Sequence, residues 1–333
     1  PPFDLLCAVL ALFPVWLAYA IFVGGTFLLY TRALTQIADR YSTFVLYFMA
    51  PSVFIALRCG QNGFLTAGLI ALCAVRLVDK RNSAGWFLGL LAIKPHLMSG
   101  LLLTSVLFRR WRLLFGVLVW LFVLGLLSTL VLGGGIWGAF AQGAKEALYY
   151  LGKGYYPLYR MVSVYATLRT LGFSAEPAFL GQSIAGFMAI ASILHLWLRG
   201  YEIRVIAALA IMAGFFVSPY LYDYDLPILG VTLALLGANF IRTLPGASLV
   251  ILIILGWLSA GMGMLTVFGV QLRYGAFNTQ LEDTTGFLSP GAVLLLGIFI
   301  ILYHHVMKTQ LPGPHRLGSG PKKGKVKAPI DIS

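Results

Sequence analysis

Apolar runs close to the length of a membrane span recur along this chain from one end to the other. A helix needs about 20 such residues to cross the hydrocarbon core of a bilayer. A backbone in hydrocarbon must satisfy its own hydrogen bonds, which leaves only helices and closed barrels. Barrel strands alternate apolar and polar residues, and these runs do not. The expected class is therefore an all-α polytopic membrane protein. Composition excludes the soluble alternative: 59% of the 333 residues are hydrophobic and 11% are charged, where a soluble domain carries about 25% charged residues. A net charge of +13 would point to nucleic acid in a soluble protein. In a membrane protein such an excess marks cytoplasmic loops, so nucleic acid is set aside and membrane lipids are the expected surroundings. Cys7, Cys59 and Cys73 have no metal or disulfide spacing and read as small buried hydrophobes. No metal and no other cofactor is expected. The chain opens Pro1-Pro2, with no initiator Met and no signal peptide, so a further helix and loop are expected upstream.

The positive-inside rule threads the runs. Residues 1–13 are apolar but too short to span. Residues 14–31 form a first span, ending at Arg32, Asp39 and Arg40 on the cytoplasmic side. Residues 41–58 cross out, kinked at Pro51, and put Gly60-Gln61-Asn62-Gly63 outside. Residues 64–78 return to Asp79-Lys80-Arg81. The segment 83–108 then lies between that cluster and Arg109-Arg110-Arg112. Two readings fit it: a re-entrant hairpin with Lys94-Pro95-His96 at its tip, or a single Pro-kinked span with Arg109 outside. The hairpin is preferred because it keeps both basic clusters on one face. Residues 113–132 go out, and 133–177 form a long outer loop rich in tyrosines and cations. Residues 178–198 come in to Arg199 and Arg204, 205–218 go out to Tyr222–Asp225, and 226–241 come in to Arg242. Residues 247–268 go out to an outer loop at 270–286 holding Arg273, Glu282 and Asp283, and 288–307 come in. The count is about nine full transmembrane helices plus the hairpin, in a single domain over 1–307. The Lys-rich tail 308–333 reads as disordered, cytoplasmic and attracted to anionic lipid. Three polar clusters thus share the outer face: Gln61-Asn62, the 133–177 loop and Tyr222–Asp225.

Each cluster carries two readings. Asp223 and Asp225 can accept a proton from a hydroxyl nucleophile or bind a cation or sugar, and Tyr222 and Tyr224 beside them suit the flat face of a sugar ring. The same four residues can instead cap the following helix and mark the membrane interface. Gln61 and Asn62 offer amides that donate and accept, as sugar hydroxyls require, with Arg58 one turn earlier. Asn62-Gly63 is equally a tight-turn signal. Lys94, set among apolar residues, needs an anion or water, and a lipid phosphate is a natural partner. It can also be a cation snorkelling beside a kink. Lys153, Arg160 and Arg273 are outer cations that can meet a phosphate or simply stand in solvent. His195, His304 and His305 show no ligand spacing and read as interfacial.

Several stretches resemble glycosyltransferase family 87: "GQNGFLTAGLIAL" at 60–72, "AGWFLGLLAIKPHL" at 84–97, "RRWRLL" at 109–114, "MVSVYATLR" at 161–169, "SPYLYDYDL" at 218–226 and the opening "PPF…LALFP…AYAIF". The resemblance runs over about residues 1–240, and the final two helices carry no signature. It implies a GT-C fold and transfer of a sugar, typically mannose, from a polyprenyl-phosphate carrier to a lipid-linked or glycan acceptor on the non-cytoplasmic side. It implies inversion at the anomeric carbon without an obligatory metal. It also implies a catalytic Asp in an outer loop just ahead of Pro1-Pro2; Asp4 does not match that position. The family often has Gln where this chain has His96, and some members have His near Tyr224 or Asp225.

The expected function is thus a hexosyltransferase of the bacterial cytoplasmic membrane with its site on the outer face. Asp223 and Asp225 are its catalytic candidates; Gln61, Asn62, Lys94, His96, Arg58, Tyr222, Tyr224 and Arg160 are its substrate-binding candidates. Two rivals stand beside it, a lipid-linked-sugar flippase and a non-catalytic assembly subunit. A flippase predicts internal repeats and broken helices; no repeat is visible, though Lys94-Pro95 reads as a helix break.

Overall fold

The computed structural model describes residues 1–274 and 287–309. The remainder of the expected 270–286 loop, with Glu282 and Asp283, the side chain of Arg273 and the expected tail beyond Thr309 lie outside the described residues.

The described chain is all-α. After α1 (Pro2–Leu10), Pro14 caps a long helical stretch made of α2 (Val15–Tyr19), one π-helical turn and α3 (Gly25–Ala38). Asp39, with φ of 48°, breaks it. The chain then reverses into α4 (Ser42–Phe48) and α5 (Ala50–Cys59), and the Tyr19 hydroxyl donates to the Leu57 carbonyl across the pair. There follow α6 (Gly63–Val78), α7 (Ala84–Leu90), α8 (Ser99–Leu107), α9 (Trp111–Leu132), α10 (Ile136–Lys153), α11 (Val164–Thr170), α12 (Ala175–Leu198), α13 (Ile203–Ala213), α14 (Pro227–Thr243), α15 (Gly246–Tyr274) and α16 (Gly291–Thr309).

Five stretches are long and apolar enough to cross a membrane: Val15–Phe48, Trp111–Leu132, Ala175–Leu198, Gly246–Gly269 and Gly291–Thr309. Among the shorter apolar helices are Ala50–Cys59, Gly63–Val78 and Ile203–Phe216. The protein is therefore a multi-pass membrane protein, but several of the nine spans counted from the sequence fall short of that length. The expected 133–177 loop is also largely helical. Its first part is the amphipathic α10, whose last turn ends at Gly154 in the left-handed conformation, a common helix stop.

The centre is built from α6 and α13, buried along nearly their whole lengths, with α14 beside them. In lipid the hydrophobic effect does not drive helices together, so close packing through small residues must. Accordingly, a Cβ added at Gly100 of α8 would lie 1.9 Å from the Ala210 carbonyl oxygen of α13, and one at Gly68 of α6 would lie 3.0 Å from Leu29 of α3. The Tyr30 hydroxyl donates to the Pro227 carbonyl at 2.8 Å, while Arg204 donates to Leu235 and Ile37 carbonyls further along. Those contacts set α3 and α14 parallel.

Glycines also decide the path of residues 83–108. A Cβ at Gly85 would meet the Leu113 carbonyl oxygen at 2.2 Å, and one at Gly89 would meet Trp120 at 2.5 Å. So α7 and α9 run side by side in the same direction, and the chain must double back through α8 between them. Lys80-Arg81 and Arg109-Arg110-Arg112 therefore lie at one end, and Lys94-Pro95 is the tip. A single kinked span does not fit this geometry. The arms Ala84–Ile93 and Pro95–Leu107 rise only about 15 and 20 Å. Lys94, at φ −142° and ψ 74°, lies outside the helical region that a following proline disfavours.

Candidate functional site

The site gathers at the end where the hairpin tip meets the link from α13 to α14. That link closes in a 3-10 turn, Asp223–Asp225. The turn is held by the Tyr222 amide, which donates to Asp225 Oδ2 at 3.4 Å. A second segment is pinned against it: the Val162 amide donates to the Leu221 carbonyl at 2.8 Å, within an antiparallel bridge between Met161 and Tyr222. This bridge puts Arg160 across from Asp223. Its guanidinium grips the carboxylate through both oxygens, Nε to Oδ2 at 3.0 Å and Nη2 to Oδ1 at 2.8 Å. The fork also touches Cys59 Sγ at 3.1 Å, at the end of α5.

The hairpin tip supplies the other cation. Lys94 Nζ lies 2.6 Å from Asp225 Oδ1, with the Asp225 side chain wholly buried and that of Lys94 16% exposed. Tyr224 sits between the two ion pairs. Its ring centroid is 4.8 Å from Lys94 Nζ and 6.0 Å from Arg160 Cζ, within cation–π reach. Tyr222 stacks on it at 5.2 Å with the planes 6° apart. Two buried anions, two cations and two stacked phenols thus form one block.

Backbone from α6 and α15 closes around the block at glycines. A Cβ at Gly63 would lie 1.9 Å from the Tyr224 carbonyl oxygen, and one at Gly263 would lie 2.9 Å from Asp223 Oδ2. Asn62, just before α6, is buried, and its Oδ1 has no hydrogen-bond partner. His96, two residues past Lys94 at the tip, likewise has a buried Nε2 without a partner. A buried polar atom with no partner is costly, so these two mark where a ligand would be welcome.

Burial pushes the Asp223 carboxyl above its ordinary range, while the bond and charge of Arg160 pull it back. Burial also raises the Tyr222 and Tyr224 hydroxyls, so both remain protonated donors. For Arg160, burial alone would favour the neutral form, but the hydrogen bond and charge of Asp223 outweigh it and keep the guanidinium cationic. Among the described residues, no three His, Cys, Asp or Glu side chains gather as they would around a metal ion.

Most of the residues singled out in the sequence converge: Asn62, Lys94, His96, Arg160, Tyr222, Asp223, Tyr224 and Asp225. Gln61 does not, being exposed to solvent beside the buried Asn62. Arg58 turns to α15 instead, with Nη1 2.7 Å from Met264 Sδ and its guanidinium 5.5 Å from the Phe268 ring. Gly60, left-handed at φ 61°, ends α5, and Asn62-Gly63, expected as a turn, instead opens α6. Asp4 is exposed and lies near the chain's own amino group. Lys153 stacks on Tyr149 of its own helix. Two of the three cysteines differ from the buried hydrophobes expected: Cys7 is exposed, and Cys59 touches Arg160. Sequence reasoning missed Cys59, Gly263 and the pairing of each acid with its cation.

The model of glycosyltransferase family 87 matches residues 1–219. The match takes in Asn62, Lys94, His96 and Arg160 and stops four positions short of Asp223. No curated protein and no solved structure matches the chain.

Proposed function

The chain belongs to glycosyltransferase family 87, and from that premise we propose that it moves a hexose, mannose first among them, from a polyprenyl-phosphate donor to a lipid-linked or glycan acceptor. The proposed setting is the outer face of a bacterial cytoplasmic membrane. The observation that carries this reading is the pair of half-buried cations, Lys94 and Arg160, held on either side of Tyr224 by the buried Asp225 and Asp223. A sugar phosphate offers the charge those cations complement and hydroxyls for the unpartnered Asn62 Oδ1 and His96 Nε2. The stacked Tyr222 and Tyr224 offer a flat wall for a sugar ring.

In the proposed reaction the acceptor hydroxyl attacks the anomeric carbon. The bond from that carbon to the phosphate oxygen breaks, its electron pair leaves with the polyprenyl phosphate, and the hydroxyl proton passes to a carboxylate. Both oxygens of Asp223 are engaged by Arg160, so Asp223 acts as the anchor of that cation. Asp225 is held on one oxygen by Lys94 and only loosely, at 3.4 Å, on the other. When the donor phosphate draws Lys94 toward itself, Asp225 is freed to take the proton. Phosphate stabilisation by preorganised cations is then a large part of catalysis.

Transfer of radiolabel from polyprenyl-phosphate-mannose in membranes tests the reading. Lys94→Ala should raise the donor KM about ten- to hundredfold, as loss of a charged hydrogen bond implies. Asp225→Asn should lower kcat by about 10²- to 10⁴-fold. Wild-type kinetics in Lys94→Ala would remove its phosphate role. Absence of transfer from any polyprenyl-phosphate sugar, with the lipid carrier moved intact across the membrane, would replace transfer by flipping.

A further inference from the structure

At the opposite end of the molecule, the space between α7 and α9 opens as a groove of about 560 Å³. It is lined by Asn82, Ser83 and Arg112 at one end and by Trp86, Phe115, Val119, Trp120 and Val123 beyond them. Gly116 is also in the lining; a Cβ on it would meet Trp86 at 3.5 Å and the Gly85 backbone of α7 at 3.6 Å, leaving no room for a larger side chain. We propose that this groove holds one anionic glycerophospholipid, with an acyl chain along the aromatic and valine side chains and the headgroup phosphate on Arg112, Asn82 and Ser83.

Four observations select that occupant. First, polarity falls along the groove, from hydrogen-bonding side chains at the mouth to aromatic and valine side chains whose only polar groups are the indole N–H of Trp86 and Trp120, which is the pattern of a single-headed lipid. Second, Arg112 and Val123 are eleven residues apart on one helix, a rise of about 16 Å, which matches one leaflet of a core about 30 Å thick. Third, the charge at the mouth is uncompensated. Lys80, Arg81, Arg109, Arg110 and Arg112 flank it, and the one carboxylate in the two stretches, Asp79, reaches only Arg81, at 3.9 Å. The side chains of Asn82, Ser83 and Arg112 form no hydrogen bond or ion pair among the described residues, and Arg110 Nε is buried without a partner. Fourth, the positive-inside pattern assigns this end to the cytoplasmic leaflet, where anionic lipid concentrates and basic pockets between helices take its headgroups.

The assignment does not depend on the transfer reaction. It also concerns the hairpin directly, because α7 is the arm that carries Lys94. A lipid seated between α7 and α9 would brace that arm from the far side.

The test is native mass spectrometry of the purified protein in detergent, titrated with phosphatidylglycerol or phosphatidylcholine of equal chain length. One phosphatidylglycerol per chain should bind, with phosphatidylcholine markedly weaker. Arg112→Gln should weaken phosphatidylglycerol about fivefold, the effect of one cation near an anionic headgroup, and Arg112→Lys should restore most of it. Gly116→Leu should block both lipids, and its melting temperature in phosphatidylcholine alone reports whether the variant is folded. Equal binding of the two lipids, or phosphatidylglycerol binding untouched by Arg112→Gln and by a folded Gly116→Leu, would overturn the proposal. So would displacement of the bound lipid by polyprenyl phosphate at lower concentration, which would make the groove a donor site.

Discussion

The two ends of the hairpin both collect cations, and they treat them in opposite ways. At the tip, Lys94 meets a wholly buried carboxylate at 2.6 Å, and close by Arg160 binds a second one through both oxygens. At the base, Lys80, Arg81, Arg109, Arg110 and Arg112 share one acid that reaches only as close as 3.9 Å. A cation paired with a buried anion has a defined resting position, from which the proposed donor phosphate would draw it. A cluster of mostly exposed cations with one acid among them answers mainly to net charge. What separates the two ends is therefore burial and pairing.

That contrast breaks hardest at Asp225. Asp225→Ala leaves the Lys94 ammonium buried without an anion, and such a loss costs about 3–5 kcal/mol. Thermal unfolding in detergent should show a large drop in melting temperature. The double variant Lys94→Met with Asp225→Leu should recover a good part of that loss, because an apolar pair of similar size can replace a buried ion pair. A double variant no more stable than Asp225→Ala would mean that the pair is not what holds the tip.

A smaller effect sharpens the comparison through pH. Burial places the Asp223 carboxyl above its ordinary value of 3.8 in the folded protein. Between the ordinary and the raised value, the folded protein keeps a proton that the unfolded chain has lost. The stability due to this group is therefore full below the ordinary value and declines as pH rises through the raised one. Function runs the other way: as pH falls through the raised value, Asp223 takes up a proton and loosens its two-point hold on Arg160. Activity should decline on an acid limb with a midpoint above 3.8, and Asp223→Asn, already low, should lack that limb. An unchanged acid limb in Asp223→Asn would assign it to another group.

The sequence made the components of the site legible but not their pairing. Lys94 stood out because a cation among apolar residues demands an explanation, and Tyr222–Asp225 stood out for the same reason. Yet Lys94 and Asp225 are 131 positions apart, and Arg160 and Asp223 are 63 apart. Their partnership depends on the hairpin reversal and on the bridge at Met161 and Tyr222, and the bridge has no local signal. The hairpin is expected from a conflict between two basic flanks and the positive-inside rule, and the glycine contacts of α7 with α9 set those two helices parallel, with the chain doubling back between them. Gly63 reads in the sequence as a turn residue, but it is the first residue of α6. That it also admits the Tyr224 carbonyl depends on which backbone approaches it, and the same holds for Gly263 against Asp223. The helix α10 was hidden by its tyrosines and cations, which read as a binding loop although their spacing is that of an amphipathic helix.

The mildest test lies at the base of the hairpin. The Arg81 and Asp79 side chains are 69% and 50% exposed and 3.9 Å apart. An exposed pair of that kind contributes about 0–1 kcal/mol, since water screens it and two long side chains must be held still. Asp79→Asn should therefore leave the melting temperature nearly unchanged, while removing the one acid that opposes the basic cluster. If burial and pairing separate the two ends, this variant should bind phosphatidylglycerol as well as or slightly better than the wild type, and sugar transfer should not change. A loss of stability comparable to that of Asp225→Ala would show that the base, too, is held by a defined ion pair, and the contrast between the ends would fail.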